Sequence, residues 1–595
     1  MFFTQEYYKN LSLNEPSLFA LGLSLLLWGT VAWSLIHWVR RRNSPLLNRL
    51  ACVATFALLL MPADFLRTYY LHMMGSHIVL WIANPSGIGG ELVVIFFVGR
   101  TATATRSKLR RHANRLRPAE SRATVLVMNH FETMGTGQKA LRINIDAKTH
   151  GTFAEIGAGQ EVARWFFRVG GAAGTIAKTI SAYDKTVSDA IYGPSDRYVS
   201  RHRLQQMLDY EYKLLIERLD SSRGAETTFF VFANTVAARS YSRRDDSHGW
   251  LGLKFQTQPR TDPSQIMIHV RLLDDENVRQ QEALGAIGVN LIHGAFFERD
   301  QVKLFIKSLL DQLSRSRIEV DMIEFSGPGF NGIDNRLISL QLVEQGLTEA
   351  VMFTVDGQVV QPSEVLYKKP VLVERGTFRP VNCLHVDLLK CARQQFLSET
   401  GRSGDEIELM EITMRNLLDS NQEVEPADFL ARVDTLRTLS TMVLVTSHGE
   451  FYHTVEYLRR STKSAVGFAI GLPTLEQILD EKYYENLSGG ILEALGRIFE
   501  GAVKFYVYPT RGNAPDSIVT TKDIPVPPSI GHLVAHLREN GLVEDLLDAN
   551  PEYLNIHSSE LLAAIQTGNQ AWEAQVPASV AEIIKSRRYF GYKAP

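Results

Sequence analysis

The sequence predicts an α/β fold with largely parallel sheets and flanking helices, preceded by an N-terminal helical membrane segment. Three observations carry this expectation. From about Ala123 short apolar runs alternate with amphipathic stretches, a pattern that favours α/β layers over a β-barrel or a helical bundle. Glycine and Asp-Gly punctuation falls between those runs. Before that point, long apolar runs are separated by clusters of arginine.

Composition sets outer bounds. A chain of 595 residues has room for several domains, and 45% hydrophobic with 22% charged residues is globular, which argues against collagen, coiled coil and wholesale disorder. With 63 Lys and Arg against 65 Asp and Glu, no basic excess points to nucleic acid, and no nucleic-acid partner is expected. Cys52, Cys383 and Cys391 make neither a disulfide framework nor a CxxC zinc pair, so the bulk of the chain reads as reduced and cytosolic-facing.

The membrane segment comes first. Leu18 to Val39 is an apolar run close to the roughly 20 residues that cross a bilayer as a helix. Leu46 to Met61 is shorter and broken by Arg49, and Ile78 to Val98 carries Asn84, Pro85 and Glu91, so it reads as a kinked or re-entrant span. Arg40, Arg41, Arg42 and Arg49 follow the first run, only Arg67 follows the second, and a basic stretch from Arg100 to Arg122 follows the third. Positive flanks stay in the cytoplasm, so the pattern predicts an outside amino terminus, three crossings and a cytoplasmic body. One span with two buried or interfacial segments is the alternative. The bilayer is thus an expected partner through residues 1–122, and the basic stretch reads as a stop-transfer flank or a lipid-head contact.

The body follows element by element. Thr152 to Ile156 reads as a strand, Gly157 to Gly159 as a turn, Glu161 to Val169 as a helix and Thr175 to Ser181 as a strand. A helix is predicted over Arg203 to Leu219, and strands over Phe229 to Phe232 and Ile266 to Val270. Ile318 to Phe325, Ile333 to Gln345 and Ala350 to Thr354 read as strand, helix and strand in a right-handed parallel crossover, with Asp356-Gly357 as a hairpin turn after them. Lys368, Lys369, Arg375 and Arg379 around Pro370 to Val373 suggest a solvated edge strand, and Cys383 and Cys391 share a helix as small buried residues. Polar residues from Ser398 to Asp428, around Met410 to Leu418, suggest a helical connector. Strands at Met442 to Thr446, Ala465 to Ile470 and Lys504 to Tyr508 then alternate with helices at Tyr452 to Arg460 and Ile491 to Phe499, before a Pro-rich exit into a helical tail. The domains expected are therefore 1–122 (membrane), 123–395 (first α/β domain), 396–440 (connector) and 441–595 (second α/β unit with tail).

Chemistry concentrates at Thr152-Phe153-Ala154-Glu155-Ile156-Gly157-Ala158-Gly159-Gln160, an apolar strand entering a Gly-x-Gly turn and a helix. Glycines allow close backbone approach, and amides at a helix start attract phosphate or carboxylate, which suits nucleotide binding. Glu155, Gly157, Gly159, Gln160 and Asp184 are the candidate cofactor-binding residues, with Asp184 offered to a ribose hydroxyl. Val162 stands where a dinucleotide fingerprint has its third small residue, so that pattern is incomplete. Glu155 before the turn also resembles the acid of an S-adenosylmethionine pocket, and a purely structural turn is the other reading. Asp334 and Arg336, after Ser326-Gly327-Pro328-Gly329, are candidates for a hydroxyl or metal-water contact and for phosphate neutralisation, or else Asp334 or Asn335 caps a helix. His248, in the loop-like Ser247-His248-Gly249-Trp250, is the candidate acid or base among Asn234, His269 and Arg271. His448 and His453 lack further ligand types nearby, and no metal is expected.

From Met128-Asn129-His130-Phe131-Glu132 onward the chain resembles a bacterial family of uncharacterised proteins, many labelled nicotinate-nucleotide adenylyltransferase and others TonB-dependent receptor. The likeness is carried by His150-Gly151-Thr152-Phe153-Ala154-Glu155-Ile156-Gly157-Ala158-Gly159-Gln160-Glu161-Val162-Ala163, Thr179-Ile180-Ser181-Ala182-Tyr183-Asp184, Ser247-His248-Gly249-Trp250, Asp334-Asn335-Arg336 and Tyr367-Lys368-Lys369-Pro370, and runs nearly to the C-terminus. The first label implies nucleotide handling, but the H-x-G-H type motif of such transferases is absent from the sequence. The second implies an outer-membrane barrel, which the α/β pattern contradicts. The resemblance begins near Met128, where translation of a shorter, cytoplasmic form would start; the full chain is expected in the inner membrane with its body in the cytoplasm. Two functions of different class follow: a nucleotide-binding protein, as an enzyme of nucleotidyltransferase type, with Asp184 and the loop of Asp334 to Arg336 converging on Gly157 to Gln160; or a membrane-tethered, non-catalytic binding or scaffold protein.

Overall fold

The computed structural model describes residues 134–239, 247–401, 404–512, 514 and 517–594, with the backbone of two short strands before them. The chain divides into two compact units, Met1–His130 and Phe131–Pro595. In the first, Leu80–Trp81 (β1) and Val94–Ile95 (β2) pair antiparallel. These two strands fall within Ile78 to Val98, the kinked or re-entrant span expected from the sequence, and the rest of that run lies outside the described residues. The runs 18–39 and 46–61 and the basic stretch 100–122 lie outside the described residues. Among the described residues no helix is long and apolar enough to cross a membrane.

The second unit is built on two mixed sheets with flanking helices. The first sheet uses Thr149–Ile156 (β3), Ile176–Ile180 (β4), Thr228–Ala237 (β5), His248–Phe255 (β6), Ser264–Leu272 (β7) and Ile318–Ser326 (β8), in the order β4-β3-β5-β6-β7-β8. β3 runs parallel to β4 and to β5, and the remaining pairs are antiparallel. Connection length explains the change of sense at β5, since β3, β4 and β5 are separated by helices whereas β5, β6 and β7 follow one another without one; β7 and β8 are antiparallel although two helices lie between them. Phe229 to Ala233 are fully buried, as a run of continuous apolar residues requires when both faces are covered. Helix Glu161–Val169 covers one face, where Phe166 packs 4.9 Å from Phe153. Helix Arg201–Arg223 covers the other, where a side chain at Gly252 would strike Leu208 and Leu204.

The second sheet uses Ala350–Phe353 (β9), Val359–Val360 (β10), Val371–Arg375 (β11), Ile407–Thr413 (β12), Met442–Thr446 (β13), Val466–Gly471 (β14) and Val503–Tyr508 (β15). Thr510–Arg511 (β16) and Ile518–Val519 (β17) form a separate ladder, and Val543–Asp545 (β18) completes the sheet, in the order β10-β9-β13-β12-β11-β14-β15-β18. The six strands from β13 to β18 in that order are parallel and doubly wound, with β11, the first in sequence, at the centre.

Three sequence expectations change here. Val371 to Val373 belong to a central strand and not to a solvated edge; all three are buried, although Lys368 and Lys369 precede them. Met410 lies on strand β12 and not on a helical connector, so residues 396–440 supply part of the second sheet, which draws on both sides of the expected boundary. Glu408 and Glu411 disguised that strand, and Glu411 is buried because Arg375 and Thr446 satisfy it. Finally, β8, its following helix Asn335–Glu344 and β9 make no parallel crossover. β9 leaves for the second sheet and pairs antiparallel with β10 and β13. The parallel character expected of the sheets therefore holds for the second and only in part for the first.

Candidate functional site

β3 lies between β4 and β5, so the chain leaves it first to one side and then crosses to the other. The carboxyl ends of β3 and β5 thus form a switch point, where open α/β sheets leave a crevice. The bend Gly157 to Gln160 sits on that edge. Gly157 has φ +104°, and a Cβ there would lie 1.9 Å from the Val236 carbonyl oxygen of β5, so only glycine fits. Gly159 has φ +83° but faces open space apart from Glu161. Ala158 is buried, while Gly157, Gly159 and Gln160 are half-buried, so the bend is partly covered and partly open.

Glu155 is fully buried and spent on the helix start. Its carboxylate accepts from the amides of Val162 (3.2 Å) and Ala163 (2.9 Å) and from Asn234 Nδ2 (3.0 Å). Asn234 is held in turn by accepting from the Ile156 amide. Burial pushes the Glu155 carboxyl up to about 7, against the opposing pull of those three donors. Gln160 occupies the N-cap position with no side-chain cap bond, so Glu155 takes the buried Val162 and Ala163 amides of the first turn from below. Its placement shapes the bend and offers no open oxygen to a ligand.

Asp184 follows β4 and caps helix Lys185–Tyr192 by accepting from the Val187 amide at 3.0 Å. The adjacent Tyr183 hydroxyl donates to the Gly157 carbonyl at 3.0 Å, which brings the Tyr183-Asp184 segment to the bend. Asp334 and Arg336 are elsewhere. Antiparallel pairing of β8 points its carboxyl end toward the opposite edge of the sheet, since Ser326 registers with Gln265, Gln265 with Lys254 and Lys254 with Val231. The convergence expected from a parallel β8 is therefore lost. Asp334 caps its helix through the Arg336 amide and pairs with the Arg336 guanidinium, which also binds Asp434 at 2.5 Å. Asp334 lines a cavity of about 400 Å³ there with Glu324, Asn335 and Gln358.

His248 opens strand β6 and is not in a loop. It stands on the same edge as the bend, because it registers with Ala237 at the end of β5. Its Nδ1 lies 3.0 Å from His269 Nε2, and His269 Nδ1 lies 2.5 Å from Asp321 Oδ1. Asp321 Oδ2 accepts from Gln361 Nε2 at 3.2 Å. His269 and Asp321 are 2% and 4% exposed, which removes solvent from the centre of this chain of contacts. On the same face Thr235 donates to the Tyr198 carbonyl, and the buried Arg203 guanidinium lies 5.0 Å from the Tyr198 ring. Arg203 bonds Asp189 through one nitrogen, while its Nε and Nη1 have no partner among the described residues.

Asp321 and Arg203 thus join the edge although their roles were invisible in sequence, and His269, one of the four polar positions weighed there, joins it with them. Asp321 is remote from His269 along the chain, and Arg203 reads only as the start of a helix. The signal available was the register of β6, β7 and β8, which brings the two histidines and the aspartate onto neighbouring strands.

No family model matches the chain, and no curated protein matches it. Solved structures of the competence-damage superfamily are similar to part of it. The competence/damage-inducible protein CihA of Agrobacterium tumefaciens is 16% identical, with 26% of this chain and 93% of that chain covered and a TM-score of 0.22. A CinA superfamily protein of Klebsiella pneumoniae is 12% identical over 27% of this chain and 95% of its own, also at 0.22. A CinA superfamily protein of Escherichia coli is 14% identical over 29% and 94%, with a TM-score of 0.20.

Proposed function

We propose that the body binds a nucleotide or a related phosphorylated small molecule at the carboxyl edge of β3 and β5. The observation that supports this reading most is the switch point itself. There a glycine bend, pressed so closely on β5 that no side chain fits, leads half-exposed backbone into a helix. Arg203 adds a buried positive charge with unused donors on the same edge. Asp184 is the candidate ribose contact through its approach beside Tyr183. Nucleotidyl transfer belongs to this proposal as a family label only, because the H-x-G-H residues are missing. Anchoring to the inner membrane by residues 1–122, with the body in the cytoplasm, is part of the same proposal.

A thermal-shift panel of NAD precursors, ATP, GTP and S-adenosylmethionine on the full chain tests the reading. A ligand at one hundred times its dissociation constant adds about 2.7 kcal/mol of stability. At least one member is expected to raise the melting temperature of the natural chain and to lose that effect in Arg203→Gln. A panel without any shift favours the scaffold alternative.

A further inference from the structure

We propose a second binding site, at the carboxyl end of β11 in the second sheet, where Glu374 pairs with the edge of a heterocyclic base that presents a hydrogen-bond donor beside an acceptor, as adenine does. Topology supplies the place. β11 comes first, and the chain then builds β12 and β13 on one side of it and β14, β15 and β18 on the other, so the winding reverses between β11 and β14. The helices that leave those two strands lie on opposite faces. Leu388, Ala392 and Phe396 of Cys383–Thr400 cluster with Leu372, whereas Leu472 and Leu475 of Leu472–Ile478 cluster with Val373 and Phe468. Their divergence leaves a crevice beyond the strand ends.

Glu374 is the penultimate residue of β11 and shares the face of Leu372, toward helix Cys383–Thr400. It is 2% exposed, Oε2 is sealed without a partner, and no donor or counter-charge among the described residues meets the carboxyl. Neighbouring polar groups are paired. Glu411 accepts from Arg375, Thr446 and Thr454; Asp387 accepts from the Tyr508 hydroxyl and the Asn550 amide; and Asn382 and His385 cap one another. A lone buried acid is destabilising, and a central strand has no need of one, so the missing partner comes from outside the chain. Burial raises this carboxyl well above the usual range and keeps its proton on, so it offers one donor and one acceptor side by side. A base edge answers both without burying a charge. The surroundings suit a flat ring. Ala469 registers with Glu374 on β14, and a Cβ at Gly471 beyond it would meet nothing nearer than Pro473 Cδ at 3.7 Å. Phe378 folds back over Gly376, where a Cβ would lie 2.7 Å from its ring, and holds φ +46°, a left-handed backbone that a bulky side chain rarely adopts. The strain is released as that ring swings aside, and the base takes its place above the acid.

Titration calorimetry with adenosine on the full chain tests this, with purine riboside, which lacks the amino donor, as the control. Adenosine is expected to bind the natural chain about tenfold or more tightly than purine riboside does. Glu374→Gln keeps a donor beside an acceptor and is expected to hold adenosine as the natural chain does. Glu374→Met keeps neither and is expected to lose about tenfold or more in affinity, with its urea midpoint at or above that of the natural chain. Absence of adenosine binding, or equal affinity for purine riboside, overturns the inference without reference to any variant. So does unchanged adenosine affinity in a folded Glu374→Met protein, or a loss in Glu374→Gln as large as in Glu374→Met. The bend of the first sheet is read apart from this site, because Arg203→Gln is expected to remove the thermal shift given by ATP and to leave adenosine affinity unchanged. Adenosine binding that is lost in Arg203→Gln and kept in Glu374→Met assigns the nucleoside to the bend and removes the second site.

Discussion

Glu155 and Glu374 are both strand carboxyls without access to water, yet they stand in opposite positions. Glu155 meets three donors, and Glu374 has an oxygen, Oε2, with no partner among the described residues. Burial raises both, Glu155 to about 7 and Glu374 well above the usual carboxylate range. A raised carboxyl binds its proton more tightly in the folded chain, so its contribution to stability is complete below about pH 4.5 and is lost as pH rises through about 7. For Glu155 that loss is about 3 kcal/mol, and denaturant unfolding followed from pH 4 to 8 is expected to show it. In Glu155→Gln this part of the slope should vanish, at a cost of about 1–3 kcal/mol at pH 5 because an amide nitrogen now faces donors. Glu374→Met should leave stability at pH 7 unchanged or raise it by about 1 kcal/mol, since the change removes a polar atom that lacks a partner. Of these facts the sequence shows only that an acid precedes a glycine turn. Whether it faces a ligand or the helix behind it depends on side-chain direction, which no spacing reveals.

At the scale of elements, the strand–bend–helix unit from Thr152 to Val169 is legible because period-two and helical patterns meet at two glycines. The glycines are not equivalent. Gly157→Ala forces a Cβ onto a β5 carbonyl at a positive φ, and urea unfolding should show a loss above 2 kcal/mol together with the ligand-induced shift. Gly159→Ala meets open space and should cost only about 1 kcal/mol, the strain of its φ alone. Equal losses at both positions would refute the claim that β5 closes on the first glycine. Strand β6 was less legible: Gly249 interrupts its start, and the reason for it, the Val236 side chain lying 2.8 Å from a Cβ built there, belongs to the neighbouring strand. The same dependence on partners concealed β12, whose acids look like surface until Arg375 is placed beside Glu411.

Across the whole body, α/β layering was readable and the place where one sheet gives way to the other was not. Pairing of β9 with β13 joins segments far apart in sequence, and no local pattern specifies such a choice. The two sheets are stitched by buried polar bonds: Thr348 donates to Glu319 at 2.7 Å, and Gln361 donates to Asp321. A chain ending at residue 345 keeps every strand of the first sheet but deprives Glu319 of its Thr348 donor and Asp321 of its Gln361 donor. Expressed alone, it should lack the near-ultraviolet circular dichroism of fixed packing; a soluble, cooperatively unfolding fragment would contradict this. Membrane orientation has its own check, because a reporter fused to the C-terminus should be active only on the cytoplasmic side.

The antiparallel seat of β9 on β13 also has a bearing on synthesis. A ribosome delivers β9 well before the strand that will hold it, and at about 5–20 residues per second the gap lasts roughly 5–20 s. For that interval β9, paired only with β10, carries a sticky, half-dressed flank, and the speed of the following codons or a waiting chaperone decides whether it is covered by its own chain or by a neighbour's.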